Sequence, residues 1–225
     1  LAGRDIKRYQ PPASDNYLIF TRRGINIADY PAIKNHLSQY RDRLTPKPKD
    51  WDKGEWKGRK PGSYKWYEIQ DSIDYFEEFE KPKIIVPAIE KVASLTFDAE
   101  SFYSNDKTTI IGSSDFYLLG VLNSRSCDFY LKSVASTKRG GYFEYKPMYI
   151  SQLPIPVASH LSKDQIVSLV NQLLELNRQL QSATLETHRQ QILRQIDHAE
   201  RRVDGLVYEL YGLTEEEIGI VEHTL

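Results

Sequence analysis

The sequence predicts an α+β protein: a β-rich domain of short mixed or antiparallel strands with packed helices over residues 1–156, then a C-terminal α-helical hairpin over 157–225. Three observations lead there. Up to Gly112 the apolar residues come in short runs of β-formers bounded by Gly, Pro and charged residues, the pattern of short strands. Beyond Pro156 they recur at steps of three and four, the period of a helix with one buried face. Between the two lies Asp115–Pro156, where one pattern gives way to the other. A hydrophobic content of 40% and a charged content of 27% are ordinary for a globular chain, and 225 residues can bury one good core.

In chain order, Asn16-Tyr-Leu-Ile-Phe-Thr21 predicts a strand and Arg22-Arg23-Gly24 a turn. Asp29-Tyr30-Pro31 opens a helix, because proline at an early helical position gives up an N–H that has no partner there. Ile33, Leu37, Tyr40 and Leu44 supply its buried face, and Pro46 and Pro48 end it. Residues 45–66 cannot form a regular element: they hold three prolines, three glycines, all three tryptophans and seven basic residues. So long a loop in a compact domain is functional or disordered, and the tryptophans argue against disorder.

The acidic stretch Asp71–Glu80 leads to Lys83–Val86, a short, fully buried strand. Ser94–Asp98 and Phe102-Tyr103 predict an antiparallel pair, and Thr108–Gly112 a further strand. Ser114 is the expected N-cap of a buried helix that starts at Asp115 and runs towards Ala135. Lys138-Arg-Gly-Gly-Tyr142 is a basic turn, Tyr142–Ile150 a β-like run, and Gln152-Leu-Pro-Ile-Pro156 the exit from the first domain. Ser162 is expected to cap the next helix, Gln181–Thr187 to break it, and Gly212 to end its successor. Thr214-Glu-Glu-Glu217 forms a capping box for a last short helix. The apolar stripe of this hairpin must be covered by the rest of the chain or by a partner.

The formal net charge of −1 hides an asymmetry: residues 1–66 hold 15 basic against 7 acidic side chains, residues 160–225 hold 6 against 11. That split points to one side facing a polyanion. Leu1 stands where an initiator Met would, and Gly3-Arg-Asp-Ile6 reads as mid-domain sequence, so a piece of a longer protein is expected. No run is long and apolar enough to span a bilayer, and no signal pattern opens the chain. The single cysteine, Cys127, excludes a disulfide framework and a cysteine zinc knuckle, and its plainer reading is a buried thiol. An intracellular location follows.

The sequence carries no catalytic constellation. It lacks GxGxxG, GxxxxGK[ST] and GxSxG patterns, and its five histidines are scattered, so no metal site is expected. Gln10-Pro11-Pro12-Ala13 lacks both the amide or acid and the aromatic of an adenine-methyltransferase motif. Glu55-Trp-Lys57 and Glu144-Tyr-Lys146 match only half of a metal-dependent nuclease motif, a coincidence expected in a chain so rich in Glu and Lys.

An ordered series of short segments carries a resemblance: Gly3-Arg-Asp-Ile-Lys-Arg-Tyr9, Tyr30-Pro-Ala-Ile-Lys34 with Leu37, Lys65-Trp-Tyr-Glu-Ile69, Lys81-Pro-Lys-Ile-Ile-Val-Pro87, Tyr117–Ser124 and Leu153-Pro-Ile-Pro156. In this order they resemble the TaqI-like C-terminal specificity domain, the target-recognition half of adenine-N6 DNA methyltransferases and single-chain restriction–modification enzymes. The closing Ile196-Asp197, with Val207–Ile218, is similar to the helical tail of those bifunctional enzymes. The resemblance implies a module that reads double-stranded DNA and is not catalytic by itself. A methyltransferase domain N-terminal to it would hold S-adenosylmethionine, and the setting would be a bacterial or archaeal cytoplasm. A type I specificity subunit, or half of one, is the nearest alternative. A protein-interaction or oligomerisation module is the alternative of another class.

The family's base-contacting residues follow no fixed motif, so the candidates come from charge and position. They are Arg22 and Arg23 in the first turn, and Trp51, Trp56, Lys57, Arg59, Lys60 and Lys65 in the Trp-rich loop. Lys138, Arg139, Gly140, Gly141 and Tyr142 in the glycine turn complete the set. Lysines and arginines neutralise phosphates, and an arginine on a guanine edge also discriminates between bases. Paired glycines let a backbone approach a phosphate. Trp51 and Trp56 could stack on DNA, although anchoring the loop is the commoner use of such residues; Trp66 reads as core.

Overall fold

A computed structural model describes residues 1–71 and 73–223; Ser72 of the acidic stretch, and Thr224 and Leu225 at the end of the expected 157–225 segment, lie outside it. The chain is α+β and packs as two units, one made of Leu1–Ser14 with Glu77–Leu225, the other of Asp15–Phe76. The helices beyond Pro156 belong to the first unit, on the same core as the strands, so the packing units do not divide at residue 156.

The second unit holds α1 (Pro31–Ser38) and α2 (Arg41–Leu44). Pro31 occupies the start of α1 as expected, but the helix breaks after Ser38 and none of Ile33, Leu37, Tyr40 and Leu44 is fully buried. Asn16–Thr21 forms no strand and joins no sheet among the described residues, and Tyr17 is 98% exposed. β-propensity describes how a residue fits a pleated, half-buried surface; without a partner strand it does not make a strand.

The first unit contains β1 (Lys83–Pro87), β2 (Ile89–Glu90), β3 (Thr96–Asp98) and β4 (Thr108–Ile111). α3 (Phe116–Asn123), α4 (Arg125–Val134), β5 (Thr137–Lys138), β6 (Tyr142–Glu144) and α5 (Pro147–Ile150) follow. β1 lies between β3 and β4, antiparallel to both, and is buried throughout. β3 pairs with β1 rather than with Phe102-Tyr103, because the Asp98 carboxylate accepts the N–H groups of Glu100 and Phe102 (2.8 and 2.9 Å) and turns the chain there. A second sheet, ordered β2-β6-β5, carries the hairpin of the glycine turn. Beyond β6 the chain leaves the expected β-like run: Pro147 starts α5.

The helix expected from Asp115 to Ala135 is two helices. At Ser124 the backbone is extended (φ −65°, ψ 154°) and the side chain caps α4 by accepting from the Cys127 N–H. Asp115 itself, not Ser114, caps α3, accepting from Tyr117 N at 2.9 Å. The long helices are α6 (His160–Ser182) and α7 (Glu186–Tyr211), and α8 (Glu215–His223) closes the chain. Ser159 caps α6, so this helix starts earlier than the apolar pattern alone indicates. Gly212 in the left-handed conformation ends α7 (φ 66°), and Thr214 and Glu217 form the expected box.

The hairpin's stripe finds its cover within the chain. Ile166, Leu169, Val170 and Leu173 of α6 and Ala199, Val203 and Val207 of α7 join one core with Leu119 and Val121 of α3 and Ile84 and Val86 of β1. Gly120 permits the approach of α6: a Cβ there would lie 2.7 Å from Ile166 Cγ2. The sheet is tied to itself by a wholly buried ion pair, Lys83 Nζ to Asp98 Oδ2 at 2.5 Å, with Lys83 also donating to Phe79 O at 2.7 Å. Removing one member of such a pair leaves the other charge buried and uncompensated. Lys83→Met is therefore expected to lower unfolding free energy in urea by about 3–5 kcal/mol; a loss under ~1 kcal/mol would show that the pair contributes little.

Candidate nucleic-acid interface

The residues singled out by sequence fall into two sets, one in each packing unit. In the Asp15–Phe76 unit the irregular loop is folded. Its neck closes where Lys47 N donates to Arg59 O (2.9 Å) and Arg59 N donates to Thr45 O (3.0 Å), a parallel bridge between Pro46 and Arg59. The loop is filled by its own side chains: Trp51 and Trp56 pack edge to face with ring centroids 4.8 Å apart. Trp51 Nε1 donates to Gly54 O and Trp56 Nε1 to Thr45 O, at 3.0 and 3.2 Å. Gly54 has a positive φ of 81°, which places the tip in a conformation that glycine adopts without strain. Both indoles are thus engaged in the loop's interior, and Trp66 is half-buried, edge-on to Tyr67.

The cations of this unit differ in what they face. Arg59 donates Nε to Leu44 O, Nη1 to Glu68 O and Nη2 to Trp66 O, at 2.6, 2.8 and 2.9 Å, with its guanidinium 4.6 Å from the Tyr64 ring centre. Lys60 is paired with Asp71 at 2.6 Å, and Lys65 lies over Tyr67 and 4.0 Å from Glu68. Arg22 lies over Phe76 at 4.6 Å, while Arg23 donates to Gln70 O at 2.8 Å; the two line a cavity of about 210 Å³ with Asp71 and Asp74. Lys57 is exposed and, among the described residues, makes no ion pair. Lys49 and Lys53 share that condition on the same loop. The count of basic residues in 45–66 already contained both, but charge alone could not rank them above the paired lysines.

Glu68 organises the base of this region. It is buried and accepts from Gly24 N (2.9 Å) and Lys65 N (2.8 Å), joining the Arg22-Arg23-Gly24 turn to the segment after the loop. Burial alone would raise its pKa; the two backbone N–H groups and the charges of Lys65 and Arg23 outweigh it and hold the carboxyl below its ordinary value.

In the other unit, β5 and β6 present Arg139-Gly140-Gly141 as a three-residue tip between the paired Lys138 and Tyr142. Both glycines have positive φ (85° and 76°), which the tight reversal requires. Lys138 is held by Glu144 at 2.9 Å, and Glu144 also takes Lys146 at 2.9 Å. The two ammonium groups keep the Glu144 carboxyl below its ordinary pKa. Arg139 is exposed without an ion pair among the described residues. Tyr142 is 37% exposed, with Lys91 Nζ 5.1 Å from its ring centre. The hairpin is fixed from beneath: Tyr145, buried, donates to Asp128 of α4 at 2.5 Å, and the same oxygen accepts from Ala93 N at 2.8 Å.

Cys127 is buried beside Tyr211, and burial raises the thiol's pKa, which disfavours the reactive thiolate. Among the described residues no three His, Cys, Asp or Glu side chains converge as a metal ligand set, and no helix is long and apolar enough to cross a membrane.

The depressed pKa of Glu68 makes its contribution pH-dependent. Glu68→Gln is expected to lower stability by about 1–3 kcal/mol at pH 7. Because the folded pKa lies below the ordinary value of 4.5, the difference between variant and parent is complete above about pH 5 and shrinks as pH falls through the folded pKa. Urea midpoints across pH 3–7 measure this, and a gap constant with pH would overturn it.

Comparison with known proteins agrees with this architecture. Over 204 residues the chain is 22% identical to the type II methyltransferase M.BstVI of Geobacillus stearothermophilus, covering 89% of this chain and 31% of that protein. Its fold matches the type IIL restriction–modification enzyme MmeI, solved in complex with DNA, with a TM-score of 0.64 and 14% identity over 97% of this chain and 29% of MmeI. The chain thus spans about a third of each relative's length. Residues 1–155 match the family described as the TaqI-like C-terminal specificity domain, and the chain belongs to that family.

Proposed function

We propose that this chain is the sequence-reading module of a DNA-modifying enzyme. It binds double-stranded DNA and leaves the chemistry to a methyltransferase domain elsewhere in the parent protein. The observation that carries this reading is a preformed loop, in a TaqI-like specificity domain, that presents Lys49, Lys53 and Lys57 without ion-pair partners among the described residues. Unpaired lysines neutralise phosphates without first giving up an internal partner. Arg139 at the glycine tip is a second such contact. M.BstVI is a methyltransferase and MmeI was solved with DNA, and both support the assignment.

On this reading the parent is an adenine-N6 DNA methyltransferase or a bifunctional restriction–modification enzyme, working in a bacterial or archaeal cytoplasm. S-adenosylmethionine is held by its methyltransferase domain. The groove between α4 and α8 is lined mainly by apolar groups, among them Phe129, Tyr130, Leu153, Leu213 and Ile220, with Glu217 at its edge; so few polar groups to orient a charged cofactor support placing the methyl donor in the other domain. An oligomerisation module built on the hairpin has less support, since α3 and its neighbours already cover the apolar stripe.

A salt titration tests the reading. Affinity of the whole chain for duplex DNA should fall linearly in log–log form between about 50 and 200 mM salt. Lys57→Ala and Arg139→Ala should each flatten the slope by about 0.9. Absence of binding at low salt would refute DNA recognition, and methyl transfer by this chain alone would refute the division of labour.

A further inference from the structure

Arg59 is one of the loop's candidate DNA contacts by sequence, and in the structure its donors are turned to the protein's own backbone. Its Nε, Nη1 and Nη2 atoms donate to four carbonyls, of Leu44 on one side of the neck and of Lys65, Trp66 and Glu68 on the other. Its backbone closes the neck with Thr45 and Lys47. The face of the guanidinium lies over Tyr64, which is buried and donates to Lys60 O. A planar fork of donors suits this arrangement; a lysine ammonium is a point charge that cannot span the same carbonyls. Gly58 completes the neck. A Cβ at that position would lie 2.2 Å from Thr45 O and 2.5 Å from Trp56 Nε1, closer than either can tolerate without opening the bridge.

We infer that Arg59 is a positioning residue for DNA reading: it clasps the neck of the 47–58 loop, and the exposed side chains of that loop discriminate between sequences only while the clasp is closed. This rests on the proposed DNA-reading role and adds to it. A loop ordered in advance pays less conformational entropy on binding, and it holds the backbone of its exposed residues fixed, so that a side chain reaching a base edge meets it in one register, whereas an open loop would offer the same groups at no fixed position. Order in the loop therefore governs sequence preference more than it governs attraction to the phosphate backbone.

The inference separates two roles that mutation to alanine would confuse. Arg59→Lys keeps the charge and loses the fork; Gly58→Ala keeps every charge and forces the neck. The probe is the duplex sequence that the unmodified chain enriches from a randomised pool, compared with a scrambled duplex. Both variants should lose about tenfold or more in preference between the two. Each should keep low-salt affinity for the scrambled duplex within about threefold, because the phosphate-neutralising charges remain. Hydrogen exchange should speed up within residues 45–59 and stay slow in α1. If Arg59 instead met a phosphate, Arg59→Lys would preserve preference and Gly58→Ala would be silent; either result overturns the inference. Loss of protection throughout residues 15–76 also overturns it, since Arg59 would then be a residue the whole unit needs in order to fold. A parent chain that binds DNA but enriches no sequence removes the reading role itself and the inference with it. Retained preference in Arg59→Lys removes the clasp alone.

Discussion

The Leu1–Ser14 and Glu77–Leu225 unit depends on α3 being enclosed on both sides. One face meets α6 closely enough that Gly120 has no room for a side chain. The other end meets the strands through Asn123, which is fully buried and exchanges two hydrogen bonds with the backbone of Leu95: Leu95 N donates to its Oδ1 at 2.9 Å, and its Nδ2 donates to Leu95 O at 3.0 Å. A side-chain amide here satisfies backbone groups that would otherwise be buried without partners. Tyr117, also on α3, donates to Pro156 O at 2.6 Å and so fixes where the chain leaves for the hairpin. The eight residues of α3 thus set both the sheet edge and the helical brace. Their mean composition is so apolar that a helix with a single buried face would not explain it.

From this enclosure follows the position of the glycine hairpin. Ser124 ends α3 and starts α4 at a fixed angle, and α4 carries Asp128 inward. Asp128 meets Tyr145 and Ala93, with Lys132 at 2.8 Å supplying the opposite charge. A buried carboxylate with donors and a countercharge is tolerated where an unpaired one would not be. The strands of the hairpin therefore rest on a polar contact that only one register satisfies.

How much of this could be read from residues alone depended on whether the signal was local. β1 was legible because a run of apolar residues bounded by prolines has few other uses, and α6 to α8 because their period is long and their caps are local. The errors share a cause. Asn16–Thr21 has strand composition but no partner strand; β3 chose β1 over Phe102-Tyr103 because a single aspartate turned the chain. The break at Ser124 lies in the polar run Asn123-Ser-Arg-Ser126 and could not be told from the polar face of a continuous helix, since a serine is compatible with a helix interior or a cap. At the candidate interface, sequence singled out the irregular loop and the glycine turn by their charge. It could not say which cations were already paired, because the pairing of Lys60 with Asp71 and of Lys138 with Glu144 depends on how the intervening chain folds.

That last distinction bears on how a basic surface should be judged. A lysine held by a carboxylate, as Lys138 is by Glu144, must give up a contact before it can meet a phosphate, and its net gain is reduced by that exchange. A free lysine on an ordered loop gives up only hydration and side-chain freedom. The count of basic residues in a segment therefore overstates its attraction for a polyanion wherever the fold has already matched charges. The separation here is sharp within a single loop: Arg59 holds the neck through carbonyls, while Lys49, Lys53 and Lys57 remain outside that network. Arginine suits the first task because its fork satisfies several acceptors at once, and lysine the second because a compact charge on a flexible stem adapts to a backbone whose phosphates are evenly spaced. The loop's composition, rich in prolines and tryptophans and closed by one arginine, is what an ordered platform for mobile charges requires.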